Sequence, residues 1–155
     1  MMKSLLEVLQ PVFDLELVVS DFYYMCAEQF PEIAEFWKYL GNDGIRHCLY
    51  IGQIIEALYK RPHLFSKCSP FTPQVVTDLT ASVQHAHRRV KSEHLSLKEA
   101  LRFAYDFEIG MLEHRLFDLL STRDEEVQKL IERIRSEAQL HRQKIIDTAS
   151  GAGAL

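Results

Sequence analysis

Four ionisable residues interrupt apolar helical stripes in this chain: Glu16, His47, Glu108 and His141. Glu16 lies among Val12, Phe13, Val19, Tyr23, Ala27 and Phe30, which recur at three- and four-residue spacing. His47 lies in the stripe Leu40, Gly44, Ile51, Ile54, Leu58. Glu108 is flanked by Leu101, Ala104, Tyr105, Met111 and Leu112, and His141 by Val127, Ile131, Ile134, Ala138 and Ile145. One inward histidine is ordinarily a satisfied core residue, and one inward glutamate a helix-boundary residue. Four of them, alternating in type with one per helix, define a different situation. A buried carboxylate is costly unless it is paired, neutralised or bound to a metal. Two carboxylates and two imidazoles converging in a dry core make a plausible nest for a divalent ion.

The order also repeats, since Glu16 precedes His47 by 31 residues and Glu108 precedes His141 by 33. Each half therefore carries the same polar plan on one helical hairpin. Two halves related by a pseudo-two-fold axis bring all four residues to one centre. Asp43 and Glu137 stand four residues before the histidines and are secondary candidates for the same ion. Tyr23 and Arg115 lie seven residues after Glu16 and Glu108, and both are candidate inward polar groups. The Arg115 guanidinium is an alternative to a metal as the counter-charge for Glu108 or Glu16.

The elements that position these residues are readable from periodicity and punctuation. Ser4-Leu5-Leu6-Glu7, Ser96-Leu97-Lys98-Glu99 and Thr122-Arg123-Asp124-Glu125 have the form of capping boxes at helix starts. They predict long helices over residues 4–30, 96–120 and 122–148, with Pro11 kinking or dividing the first. A further long helix opens at Pro31 and runs to residue 60. Residues 61–95 hold Pro62, Pro70 and Pro73 and form a long connection, with a crossing helix predicted over residues 73–91. Short joins make the first and second long helices, and the third and fourth, antiparallel neighbours. With one long crossover between the pairs, the expected fold is an all-α, ferritin-like antiparallel four-helix bundle. Residues 1–150 form one domain and residues 151–155 a flexible tail.

The chain resembles the rubrerythrin branch of the ferritin-like superfamily. Glu16 with Tyr23 and then Phe30-Pro31-Glu32 is similar to that family's first helix and turn. Leu40-Gly41-Asn42-Asp43-Gly44-Ile45-Arg46-His47 resembles its second-helix metal segment. Ile134-Arg135-Ser136-Glu137-Ala138-Gln139-Leu140-His141 resembles the fourth, and Glu108 fits the third-helix ligand. The resemblance implies two irons held by a Glu from each of two helices and a Glu-x-x-His motif from each of the others. It also implies an oxidoreductase acting on peroxide or oxygen, or oxidising iron. Gly44 and Ala138 stand where the two bridging glutamates belong. The expected site is therefore a degenerate one. It binds at most one Fe or Zn through Glu16, His47, Glu108 and His141, in a metal-handling or oxidative-stress role. A metal-free bundle acting as a binding or oligomeric module is the alternative. A haem or small apolar ligand between the helices is a third reading. Gly44→Glu with Ala138→Glu restores the motif on paper, and glutamate suits a helix interior better than glycine.

Composition narrows the remaining classes. The chain has 155 residues and a formal net charge of −4, with no basic footprint for nucleic acid or an anionic membrane. Glu7 falls where a signal peptide requires its apolar run, so the expected location is cytoplasmic. Three cysteines, Cys26, Cys48 and Cys68, form neither a disulfide framework nor a Cys-x-x-Cys metal knuckle. Phe36, Trp37, Tyr50 and Tyr59 cannot all share the stripe of His47, which leaves aromatic area for a homodimer interface.

Overall fold

The computed structural model describes residues 2–67, 73–92, 94–113 and 120–155; the side chains of residues 67, 73 and 111–113 are not described. Among the described residues there are five α-helices: α1 (Met2–Gln29), α2 (Ala34–Lys60), α3 (Pro73–Lys91), α4 (Leu97–Glu113) and α5 (Glu125–Gly151). None is long and apolar enough to cross a membrane. The first helix begins two residues before Ser4 and runs unbroken through Pro11. Ser4-Leu5-Leu6-Glu7 therefore lies inside the helix and does not open it.

α1 passes to α2 through Phe30 and a 3₁₀ turn, Pro31–Ile33, so the two pack along each other as a hairpin. α4 packs on α5, α2 packs on α5, and α3 lies against both α1 and α4. Close approach of α1 and α2 depends on two glycines. A Cβ at Gly41 would press on the ring of Tyr24, and a Cβ at Gly44 would overlap Ser20 Oγ. The core these helices enclose is aromatic at one level. Trp37 is fully buried against Phe22, Tyr23, Phe30 and Phe36, with ring centroids 5.0–6.4 Å apart. The sequence reading offered Trp37 to an interface, and the structure places it inside. Tyr59, 60% exposed, remains outside.

Helix ends follow side-chain chemistry. Ser96 and Glu99 form a reciprocal box, with Glu99 N donating to Ser96 Oγ at 3.2 Å and Ser96 N to Glu99 Oε2 at 2.8 Å. The Thr122 box does not form. The N-cap of α5 is Asp124, which accepts from the amides of Glu126 and Val127. Thr122 belongs instead to a two-stranded antiparallel ribbon, β1 (Phe65–Lys67) with β2 (Leu120–Thr122), which the sequence reading did not foresee. That reading carried the third long helix to residue 120, whereas Leu120 lies in β2. Arg61 at the end of α2 donates to Asp124 at 2.6–2.7 Å and ties the two helix ends together. At the other end of α5, Gly153 at φ 69° lets Ala154 N reach Ala149 O and Gly153 N reach Ser150 O, a Schellman closure.

Candidate metal centre

α1, α2, α4 and α5 each bring their inward ionisable residue to one level of the core. Glu16, His47, Glu108 and His141 are all at most 5% exposed. They line one small cavity together with Val19, Tyr23, Leu40, Gly44 and Ala138. Its free volume is about 10 Å³ for the centre of a water-sized sphere, room for one water or one ion. A haem or drug-sized ligand needs a pocket of about 300 Å³ or more, far more than this cavity offers.

The geometry has two matching halves. In one, His47 Nδ1 faces Glu16 Oε1 at 3.8 Å. In the other, His141 Nδ1 faces Glu108 Oε1 at 3.9 Å. Each ring turns its second nitrogen away from the cavity, to a carboxylate of the opposite half. His47 Nε2 meets Glu137 Oε2 at 2.8 Å, and His141 Nε2 meets Asp43 Oδ2 at 2.5 Å. The two rings stack with centroids 5.4 Å apart. Asp43 and Glu137 do not line the cavity. Both lie behind the histidines, where a carboxylate that accepts the Nε2–H bond orients the ring and, on a neutral imidazole, leaves the Nδ1 lone pair facing inward. In this structure Asp43 and Glu137 are hydrogen-bond partners of the histidines.

Tyr23 is fully enclosed and donates its hydroxyl to Glu108 Oε1 at 3.1 Å. Glu16 Oε1 and Ser20 Oγ are buried without a hydrogen-bond partner. Ser20 escaped sequence reading, because a serine one turn from Glu16 carries no signal of its own; only its packing over Gly44 reveals it. Arg115 and Cys68 lie outside the described residues. Cys26 and Cys48 are buried free thiols, and burial pushes Cys48 up to about 12, which makes it inert.

Electrostatics distinguish the two halves. Burial, reinforced by the negative Glu16, pushes Glu108 up to about 8, so this carboxyl is largely neutral at pH 7. Burial opposes charge on His47, but Glu16 and Glu137 overcome it and raise the ring to about 9. His141 is lowered, by burial first and by the neighbouring His47 charge, against the pull of Asp43. One of the two stacked imidazoles therefore carries the positive charge.

Does this set fit a metal? Among the described residues, no group of three or more His, Cys, Asp or Glu side chains is placed to hold a metal ion. The donor chemistry nevertheless fits one. Two N or O ligands of a tetrahedral zinc ion, each about 2.0–2.1 Å from it, stand about 3.3–3.5 Å apart. The Glu–His separations, 3.8 and 3.9 Å, are a few tenths of an ångström wider, so each pair closes slightly around an ion. Glu16 Oε1 is a buried oxygen without a hydrogen-bond partner, its neighbouring cation being the His47 ring at 3.8 Å. The residues present do not fit a bridged pair, because Gly44 and Ala138 bring no oxygen to the cavity. No family model, curated protein or solved structure matches the chain.

Proposed function

We propose that the chain is a rubrerythrin-like member of the ferritin-like class, in which α1, α2, α4 and α5 form the four-helix bundle and residues 61–95 the long crossover. Its core takes a single divalent ion, iron or zinc, on Glu16, His47, Glu108 and His141. The observation that carries this reading is the double motif of carboxylate, imidazole and inward glutamate around a one-ion cavity. When bound, such an ion supplies Lewis-acid or one-electron chemistry. The chain's own residues hold the rings, exclude water and keep Tyr23 hydrogen-bonded to Glu108. Without bridging carboxylates, di-iron turnover of peroxide or oxygen is not supported, and a metal-handling role fits better.

Protein isolated without chelator, analysed for metal content and titrated with Zn²⁺ and Fe²⁺, is expected to hold at most one tight ion per chain. Two bound irons with peroxide turnover would overturn the reading. A specific observation favours the alternative, a metal-free bundle: both Nε2 atoms already have carboxylate partners, and His47 carries a charge that balances Glu16. Absence of tight binding for either ion in that titration selects this alternative.

We also propose a homodimer. Ile45, Leu49 and Tyr59 stand 37–63% exposed on α2, and open space surrounds Gly52 between them. Sedimentation at micromolar concentration is expected to give a two-chain species, and a single-chain species alone would sink the proposal.

A further inference from the structure

Between the two carboxylate–histidine pairs stands Arg46, a residue the metal reading does not use. It is one helical turn from Asp43 and adjacent in sequence to His47. Its Nη2 makes a short hydrogen bond to Asp43 Oδ1, while its Nε faces Glu137 Oε1 at 3.5 Å. The other oxygen of each carboxylate is the one that holds an imidazole: Asp43 Oδ2 on His141 and Glu137 Oε2 on His47. The oxygens are thus divided without conflict, one to the guanidinium and one to a ring. An ion pair on the open surface contributes little. Here, however, the Asp43 side chain is 6% exposed and Glu137 22%, while the Arg46 side chain, 43% exposed, closes the assembly toward solvent.

We propose that Arg46 is the positioning residue that joins the two pairs into one chain, His141–Asp43–Arg46–Glu137–His47, and so holds both imidazoles with Nδ1 toward the cavity. Two carboxylates drawn together near the surface need a cation between them. A planar guanidinium supplies it, with donors spread enough to serve both at once. The proposal goes beyond the metal reading, since every contact it uses exists in the metal-free chain.

The test uses the metal-free, ¹⁵N-labelled 155-residue chain and the imidazole ¹H–¹⁵N correlations of His47 and His141. The wild type is expected to show a slowly exchanging Nε2–H on both rings. Arg46→Ala should lose both protected signals together, although one of the rings lies on a helix that Arg46 does not belong to. Methylguanidinium added at millimolar concentration should restore both, because the vacated place opens to solvent. Arg46→Gln, close to the native side chain in shape, guards against a folding defect and should lose the same two signals with an unchanged far-ultraviolet spectrum. Retention of both signals, or loss confined to one ring, would overturn the proposal. Because no metal is added, failure here is separate from failure of the metal titration.

Discussion

His141→Ala is expected to weaken divalent-metal binding by more than about 100-fold, while Asp43→Asn should weaken it by only about 10- to 100-fold, the range typical of a ligand's hydrogen-bond partner. The difference follows from where each group stands. His141 presents Nδ1 toward the cavity, 3.9 Å from Glu108, and its loss removes a donor outright. Asp43 touches only the far nitrogen of that ring, so Asp43→Asn leaves the cavity donor in place while removing one of the two acceptor oxygens that serve His141 and Arg46. The same ordering should hold for His47→Ala against Glu137→Gln. Zinc titration with a competing chromophoric chelator reads all four variants on one scale. Equal losses for His141→Ala and Asp43→Asn would make Asp43 a ligand. No loss for His141→Ala would remove the ion from this cavity.

How the sequence disclosed the site, and where it stopped, has a physical reason in each case. The four inward residues were legible because a 3.6-residue period assigns each to an apolar stripe, and all four are buried where that period puts them. Asp43 and Glu137 were legible as candidates, whereas their hydrogen bonds to the histidines were not. One residue off the stripe means about 100° around the helix, which carries their oxygens past the cavity and onto a histidine of another helix. Only the packing of α2 on α5 decides that crossing. Arg46 was missed for the same reason, since its second partner lies 91 residues away on α5.

The elements show the same division. α3 spans the predicted residues 73–91, and the Ser96 box closes as read, because both depend on neighbouring residues alone. The Thr122 box looked equally good on paper. It failed because the ribbon with β1 takes Thr122 into a strand, and Asp124, held by Arg61, caps α5 two residues later. A three-residue strand is too short to show a period of two. The capping pattern at Ser4 lost to an earlier start of α1, whose Leu5, Val8 and Leu9 are already in the core.

The missing bridging carboxylates are expected to limit metal stoichiometry, and the two substitutions that would restore them meet an obstacle at Ser20. Ser20 Oγ occupies the space a Cβ at Gly44 requires, with its own Cβ 3.4 Å from that position. The propensity gain expected of glutamate at position 44 is therefore set against the need to turn Ser20 Oγ aside. Gly44→Glu forces the hydroxyl aside and sets a third carboxylate beside Glu16 and Glu108. Overpacking and charge burial together should cost the metal-free protein more than about 2 kcal/mol. Ser20→Ala removes the obstructing, unpartnered hydroxyl and should recover part of that loss. Ala138 already has a Cβ and is 3% exposed, so Ala138→Glu adds a charge without meeting a glycine-sized gap. The variant carrying Ser20→Ala, Gly44→Glu and Ala138→Glu is expected to be weakened without metal and rescued by Fe²⁺, with stoichiometry rising from one toward two ions per chain. Thermal unfolding with and without Fe²⁺, alongside metal analysis, reads both effects. A stoichiometry that stays at one, in a folded variant that Fe²⁺ does stabilise, would show that the absent carboxylates are not what excludes the second ion.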